Sequence, residues 1–232
     1  MKNDSLNKLG GLCSILVGAL YVLVGITYTL LPAEQQAGGD PGAFYRSFAE
    51  GATVLTINYW VFALGAVVAL GALPAITESV RSLNEGWARW TSNLAYLGFA
   101  VTAIDFFRTL ALQPDRAAAF VAGDASTQAA LTAPGFMAGL DVNGWLGFGG
   151  VGLWVLVTSY LAMRSKVWPN PLAYVGVAVG VLYWLVVVSL VTDNAALLSI
   201  VAGLGGVVAA PVWYIWIGLR LRKAAPMAAG SM

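Results

Sequence analysis

The chain has 232 residues, of which 59% are hydrophobic and only 10% are charged, and its net charge is +1. About a quarter of the residues in a soluble protein are charged, so this composition excludes an ordinary water-soluble domain and predicts an integral membrane protein. With no histidine and a single cysteine, the chain offers no internal disulfide and no multi-ligand metal signature, and we expect no cofactor. No basic cluster is large enough to follow a phosphate backbone, so nucleic acid is not an expected partner.

Six apolar runs are long enough to cross a bilayer, which takes about 20 residues of helix. Strands exposed to lipid would leave backbone groups unpaired, so each run is predicted to be a helix. The expected fold is an all-α six-helix bundle that forms one transmembrane domain, residues 1–223, followed by a flexible C-terminal tail, residues 224–232. The predicted spans are residues 9–31, 53–76, 90–112, 137–163, 171–191 and 195–219.

The ends of the first and last spans have features of their own. The first span follows Lys2 and Lys8 as a signal peptide would, but it is too long and lacks a cleavage site, so we expect a retained signal anchor. The fifth and sixth spans meet at a short turn where Asp193 or Asn194 can cap the sixth helix. These two helices must therefore be antiparallel neighbours, and Pro211 should kink the sixth.

Lysine and arginine alternate between the two sides of the predicted bundle. With the N-terminus in the cytoplasm, the external loops hold only Arg46 and Arg116. Because cytoplasmic loops are enriched in basic residues, both termini are predicted to be cytoplasmic. The basic residues on that side are Lys2, Lys8, Arg81, Arg89, Arg164, Lys166, Arg220, Arg222 and Lys223.

Two long external loops, Pro32–Ala52 and Gln113–Phe136, are expected to form a small external cap, because loops of this length are usually ordered or functional. In the first loop, Asp40 can cap a short helix that starts at Pro41. The second loop could hold one or two further short helices. The aromatic residues expected on one face of the first short helix are Phe44, Tyr45 and Phe48.

Tryptophan and tyrosine fall where interfacial belts are expected in a membrane protein. Two further tryptophans, Trp154 and Trp184, lie deeper and could pack between helices or face lipid. The belt residues predicted at the external ends are Tyr59, Trp60 and Trp145. Those predicted at the cytoplasmic ends are Trp87, Trp90, Trp168, Trp213 and Trp216.

The segment AIDFFRTLALQP places Asp105 and Arg108 inside the third span. Spacings of three and four residues put Thr102 and Thr109 on the same helical stripe as this pair. A charged stripe that faced lipid would cost a few kcal/mol per charge, so it should face the bundle or a wet cavity. If the helix ends near residue 112, Asp105 is roughly 10 Å below the external surface.

Other helices bring polar groups to the same depth, which predicts an outward-facing polar pocket or network. Its expected members are Asp105, Arg108, Asn58, Asp141, Asn143, Thr102, Thr109 and Tyr59.

Structural roles for the same residues stay open. Arg108 could pair with Asp105, pair with Asp141 across helices, or extend to the lipid head groups. Asp141 and Asn143 could cap the fourth helix. Translocation of protons or ions would need a polar path to the cytoplasm, and none is visible in the sequence.

The glycine-rich segments predict close helix packing, as for Gly176 and Gly180, which lie four residues apart in the fifth span. They follow no strand and open no phosphate-binding loop. No nucleophile has a visible base, so no catalytic residue is predicted.

Three short motifs resemble a known family. They are Gly152-Leu153-Trp154, the turn from Arg164-Ser165 to Pro169, and the closing Trp216-x-Gly218-x-x-Leu221. The chain resembles the uncharacterised bacterial six-helix membrane proteins grouped as domain of unknown function 4386. The resemblance is strongest in the second half of the chain. It implies six helices in a bacterial cytoplasmic (inner) membrane, and it brings no activity and no catalytic residues.

The expected function is therefore non-enzymatic. The chain is predicted to bind a partner, either as an accessory subunit of a larger membrane complex or as a small ligand- or lipid-binding protein with an outward-facing pocket. The expected partners are membrane lipids and other membrane protein subunits. The alternatives are a small transporter or channel component and an intramembrane lipid-modifying enzyme.

Overall fold

The computed structural model describes residues 2–36, 39–133 and 139–223, and the helices below are those of the described residues. The predicted C-terminal tail, residues 224–232, lies outside them. A short 3-10 turn at Ala33–Gln35 precedes the second helix. The helices are α1 (Lys2–Thr29), α2 (Pro41–Glu50), α3 (Thr53–Arg81), α4 (Glu85–Ala122), α5 (Ala125–Thr132), α6 (Trp145–Ser165), α7 (Asn170–Val191) and α8 (Ala195–Lys223).

Six of these helices, α1, α3, α4, α6, α7 and α8, are long and apolar enough to cross a membrane, which confirms the predicted all-α six-helix bundle. Each spanning helix packs against the next one along the chain, and α8 packs against α1, so the six helices close into a ring. The turns at the ends of α3 and α6 lie at one end of the bundle, which we call the basic end. The opposite end carries α2 and α5 and is called the capped end.

Close approach of α8 to α1 closes the ring, and three glycines of α1 permit it. Gly11, Gly18 and Gly25 recur every seven residues and face α8. A β-carbon at Gly11 would lie 2.7 Å from the carbonyl oxygen of Gly218, and one at Gly18 would lie 2.9 Å from that of Pro211. Because backbone oxygens of α8 lie this close at Gly11 and Gly18, larger side chains at these two positions would force the helices apart.

The third spanning helix is longer than predicted. The sequence predicts that this helix ends at residue 112 and that a loop begins at Gln113, but α4 continues to Ala122 with Pro114 inside it. Proline removes one backbone hydrogen bond, yet the helix persists because Gln113, Ala117 and Phe120 are buried against the rest of the capped end. Tertiary packing here outweighs the local helix-breaking signal.

The fourth spanning helix starts later than predicted. The sequence predicts a start at residue 137, which lies outside the described residues. Residues 139–144 form an irregular turn, and α6 begins at Trp145. Gly144 ends the turn with φ of 68°, in the left-handed region that glycine adopts without strain. The first turns of α6, Trp145–Gly150, are π-helical.

Two caps predicted from the sequence are present. The Asp40 carboxylate accepts a hydrogen bond from the backbone N–H of Ala43 at 2.6 Å, and Pro41 is the first residue of α2. Asn194 rather than Asp193 caps α8, because its side chain accepts a hydrogen bond from the backbone N–H of Leu197 at 3.0 Å.

Near Pro211, where the sequence predicts a kink, α8 contains π-helical turns at Gly203–Ala209, which end two residues before the proline. Because proline has no N–H, the helix has to rearrange its hydrogen bonds in the preceding turns.

The core of the bundle is built around aromatic rings. Trp213 packs edge to face on Trp154, with ring centroids 5.9 Å apart, and on Trp168, with centroids 6.2 Å apart. Trp168 and Trp213 are only 4% and 0% exposed, so their predicted place in an interfacial belt was wrong. Both indole side chains pack in the interior of the bundle, where the burial of their large apolar area stabilises the fold.

Candidate functional site

Exposed aromatic rings mark the level at which the capped end meets the lipid head groups. Trp60 on α3 and Phe107 on α4 pack edge to face with ring centroids 5.7 Å apart, and both are exposed. Trp90, exposed near the start of α4, is about 26 Å further along the helix, close to the thickness of a hydrocarbon core. Arg108 therefore lies at the interface, and Asp105 is only about 5 Å inside it.

The Asp105 side chain joins α4 to the turn that precedes α6. Its carboxylate accepts a hydrogen bond from the backbone N–H of Leu140 at 3.2 Å. A carboxylate that receives a backbone N–H forms a charge-assisted bond, which is stronger than a neutral one. Asp105 thus holds the turn between residues 139 and 144 against the third spanning helix.

The predicted pairing of Asp105 with Arg108 is present but loose. The nearest oxygen and nitrogen are 3.8 Å apart, and the two side chains are 29% and 40% exposed. Ion pairs of this length and exposure contribute about 0–1 kcal/mol. The Asp105 carboxylate is therefore held mainly by the backbone of Leu140, and Arg108 points a partly exposed guanidinium toward the interface.

Asp141 caps α6, as one of the predicted alternatives stated. Its carboxylate accepts hydrogen bonds from the backbone N–H groups of Leu146 at 2.9 Å and Gly147 at 2.7 Å. The first N–H groups of a helix have no partner within the helix, and a capping carboxylate satisfies them. This carboxylate is therefore committed to the backbone of its own helix.

Asn58 belongs to a different contact, between α3 and α1. The side chain is 2% exposed and its amide nitrogen donates to the Val24 carbonyl oxygen at 3.1 Å and to the Thr27 hydroxyl at 2.7 Å. The structure therefore places Asn58 on the α1–α3 contact, whereas Asp105 and Asp141 lie where α4 meets α6.

The remaining residues predicted for the pocket make local contacts or are partly buried. The Thr102 hydroxyl donates a hydrogen bond to the carbonyl oxygen of Gly98, one turn earlier on the same helix, at 2.8 Å. Tyr59 packs its ring against Phe106, with centroids 5.6 Å apart. Thr109 and Asn143 are partly buried side chains on α4 and on the turn before α6.

The outer polar residues thus form two structural contacts. Asp105, Asp141 and Thr102 meet where α4 contacts α6. A β-carbon added at Gly147 would lie 3.1 Å from the Thr102 hydroxyl and 3.5 Å from an Asp141 oxygen. Within the described residues, no three cysteine, aspartate or glutamate side chains gather as ligands of one metal ion. This contact positions the backbone and the helices, since each of its two carboxylates accepts backbone N–H groups.

The capped end has a hydrophobic core of its own, which we call the cap core. The ring of Tyr45 on α2 stacks on Phe120 of α4, with centroids 5.1 Å apart. Burial raises the pKa of the Tyr45 hydroxyl, and the nearby Arg116 guanidinium opposes this shift. The cap core is separate from the core of the bundle, and its buried members are Leu31, Tyr45, Phe48, Leu55, Ala117, Phe120 and Leu131.

Side-chain amides tie the segments of the cap together. Gln35 donates to the Ser47 hydroxyl at 3.1 Å and to the Gly51 carbonyl at 2.9 Å, which fixes the 3-10 turn against α2. Gln128 of α5 donates to the Phe120 carbonyl at 3.1 Å near the end of α4. The cap is therefore an ordered, preformed unit that extends about 20 Å beyond Arg108 along α4.

The surface of the cap is acidic. Residues 30–52 and 109–133 carry five acidic and two basic side chains, a net charge of three negative. Hydrogen bonds from Thr127 and Ser126 lower the pKa of Asp124 to about 2, so this carboxylate stays ionised at all ordinary pH values. The acidic residues, all exposed, are Glu34, Asp40, Glu50, Asp115 and Asp124.

Sequence reasoning missed a set of buried polar atoms between α1, α6, α7 and α8. The Tyr21 ring packs on Tyr214 with centroids 5.9 Å apart, and the Tyr183 ring packs on Phe148 with centroids 5.6 Å apart. Within the described residues, the buried hydroxyl of Tyr214 has no hydrogen-bond partner. A sequence signal existed, since Tyr21 and Tyr183 each lie about 12 Å from the capped end of their helices.

Comparison with known proteins gives one match. The model of a family described as a domain of unknown function (DUF4386) matches residues 16–220, which include all six spanning helices in whole or in large part. The chain matches no curated protein and no solved structure.

Proposed function

The chain belongs to the DUF4386 family, a domain of unknown function, and we propose that it is a non-enzymatic membrane protein that binds a partner protein through its cap, as an accessory subunit. We also propose that it lies in a bacterial inner membrane with the basic end in the cytoplasm. The positive-inside rule supports this orientation, because nine of the twelve lysines and arginines flank the spanning helices on one side.

The observation that carries the proposal is the preformed cap. The cap core and the amide bonds of Gln35 and Gln128 order about 45 residues that no membrane crossing requires. A surface that is already ordered loses little conformational entropy when a partner binds. This supports a docking role for the cap rather than that of a plain connection between helices.

The charge of the cap indicates the chemistry of the partner. Five acidic and two basic side chains give the cap a negative potential, which would speed the approach of a basic surface and disfavour an acidic one. We therefore propose that the partner presents a basic external segment. Acidic residues that cap no helix, such as Glu50 and Asp115, are free to make such contacts.

The hydrogen bonds of the outer polar residues favour a docking role for the cap over a small-ligand pocket at its base. Asp105, Asp141 and Asn58 each engage backbone or side-chain groups of the bundle itself. A ligand or substrate at this level would meet side chains that already join the segments of the fold. The same residues are therefore proposed to hold the base of the cap in place, and membrane lipids are proposed to surround the bundle.

The test is co-purification from the native host in a mild detergent, with the wild type compared with a neutralised cap. The variant Glu34→Gln, Glu50→Gln, Asp115→Asn removes three charges and leaves the capping residues Asp40 and Asp124 intact. We expect a stoichiometric partner with the wild type and a yield of it that is about threefold to a hundredfold lower with the variant, since each of the three rim ion pairs contributes about 0.2–1 kcal/mol.

The matched control neutralises acidic residues at the basic end, Asp4→Asn with Glu85→Gln, and should retain the partner at the wild-type level. A wild-type protein that purifies as a clean monomer would count against the subunit role. Equal partner yields from the wild type and the neutralised cap would remove the cap from the interaction.

A further inference from the structure

A cavity of about 180 Å³ opens at the basic end, where four parts of the chain converge. Asn7 comes from α1, Glu78 from α3, Trp168 from the turn between α6 and α7, and Arg220 from α8. The volume is well above the space that one water molecule needs. Glu78 lies about 27 Å along α3 from the exposed ring of Trp60, so the cavity is at the level of the lipid head groups.

The rim of this cavity carries opposite charges. Arg220 is held in place because one of its nitrogens donates to the Val167 carbonyl at 2.7 Å, and its other donors remain available to an acceptor in the cavity. The Glu78 carboxylate pairs with Arg81 at 3.1 Å, but both side chains are more than a third exposed. A carboxylate has room for more than one donor, so Glu78 can accept a further cationic group.

The floor of the cavity is apolar and rigid. Trp168, Ile217 and Leu221 line it and are at most 5% exposed. Trp168 in turn rests on the buried ring of Trp213. A floor of this kind suits the uncharged glycerol region that follows a phospholipid head group, and it would disfavour a fully hydrated soluble ion.

We propose that this cavity binds the head group of a phospholipid that carries both a phosphate and a primary ammonium group. The phosphate is held by the guanidinium of Arg220, whose planar donors match phosphate oxygens. The ammonium is held by the carboxylate of Glu78. A purely anionic head group carries no ammonium group to bond the Glu78 carboxylate, so the site favours the head group that carries both charges. The site lies at the opposite end of the bundle from the cap and does not depend on the proposed docking role.

The test is native mass spectrometry of the full chain released from nanodiscs that contain equal amounts of phosphatidylethanolamine and phosphatidylglycerol. The wild type should retain phosphatidylethanolamine about tenfold over phosphatidylglycerol. Glu78→Gln should abolish this preference, and Arg220→Gln should weaken the retention of both lipids about tenfold. Arg220→Lys keeps the positive charge but not the planar donors, and it should retain both lipids better than Arg220→Gln and less well than the wild type, which separates loss of binding from loss of folding.

Two matched controls change residues next to the cavity that do not line it. Glu85→Gln removes another carboxylate that contacts Arg81, and Arg222→Gln removes an arginine two positions from Arg220. Both should keep the wild-type preference. Equal retention of the two lipids by the wild type, or an unchanged preference in Glu78→Gln, would overturn the proposal.

Competition with soluble phosphoethanolamine shows whether the cavity binds this head group as part of a phospholipid or as a soluble phosphorylated amine. At millimolar concentration it should leave the retained lipid in place, because it lacks the apolar part that contacts Ile217 and Leu221. Complete displacement of the lipid would overturn the assignment to a phospholipid and show that the cavity takes a soluble phosphorylated amine.

Discussion

The carboxylate of Asp105 accepts a hydrogen bond from the backbone N–H of Leu140 at 3.2 Å, and this bond links the third spanning helix to the turn that starts the fourth. A charged side chain near the membrane surface thus accepts a hydrogen bond from the backbone of its own chain. This relationship explains why a carboxylate is tolerated here, since its charge is both partly solvated and hydrogen-bonded.

Asp105→Ala should lower the free energy of unfolding by about 1–2 kcal/mol, because it removes a charge-assisted bond to a backbone N–H. Arg108→Ala should cost less than about 1 kcal/mol, since the pair with Asp105 is 3.8 Å long and partly exposed. Unfolding in mixed detergent micelles, measured by loss of helicity, gives both values. An Arg108→Ala cost as large as that of Asp105→Ala would show that the ion pair is the main contact.

Asp141→Ala should destabilise the start of α6 by about 1–2 kcal/mol, as is usual for the loss of a helix cap. Two backbone N–H groups, of Leu146 and Gly147, would lose their acceptor. Hydrogen exchange at these two amides reports the effect directly and should become faster. Asn143→Ala, two residues away, is the control and should leave the exchange rates unchanged; faster exchange in the control would place the cap elsewhere.

The stability of the N-terminal turn of α5 should depend on pH only in strong acid. The folded pKa of Asp124 is about 2, below its ordinary value of 3.8, so the ionised carboxylate stabilises the folded form. This stabilisation is complete above about pH 4 and is lost as the pH falls through 2. The amide signal of Thr127 in a magnetic resonance titration should follow this midpoint. A midpoint near the ordinary value would contradict the capping geometry, and Asp124→Ala should abolish the titration.

Thr77→Val should destabilise the bundle by about 1–3 kcal/mol. The indole N–H of Trp154 donates to the Thr77 hydroxyl at 3.0 Å, and Trp154 is completely buried. Valine keeps the shape of threonine but leaves the indole N–H without an acceptor, which costs its desolvation energy. Thr77→Ser retains the hydroxyl and should cost clearly less. Equal stability of the valine variant and the wild type would mean that this hydrogen bond contributes nothing.

Gly18→Ala should destabilise the fold by about 1–3 kcal/mol, because the added carbon would lie 2.9 Å from the backbone oxygen of Pro211. Gly206→Ala provides the matched control on α8, since nothing lies within 4 Å of the added carbon. It should be neutral or stabilising by up to about 1 kcal/mol, as expected for alanine in a helix. The opposite ranking of the two variants would contradict the close contact between α1 and α8.

The spanning helices were predictable because an apolar run of about 20 residues has few alternatives in a bilayer. The ends of the helices at the capped end were harder to predict from the sequence. Pro114, Asp115 and Arg116 suggest the end of a helix, and only the packing of Phe120 against the cap core shows that α4 continues. Likewise, the turn before α6 depends on the left-handed Gly144 and on Asp141, whose capping role was only one of two alternatives.

The candidate residues could be assigned to one end of the bundle, but neither the depth of Asp105 nor their positions around the ring of helices could be predicted. Counting residues along a helix gives the height of a side chain only when the end of the helix is known, and α4 continues beyond residue 112. Which neighbour a side chain faces depends on how the helices are arranged, and a single sequence does not contain that information. Asn58 faces α1, whereas Asp105 faces the turn before α6.

The central claim is that the cap docks a partner protein, and photo-cross-linking in living cells tests it most directly. A photoreactive amino acid at Val121, exposed on the outer part of α4, should give one discrete cross-linked protein. The same residue at Leu97, exposed on the membrane part of the same helix, should label lipid only. No protein adduct from Val121, or identical adducts from both positions, would contradict the account.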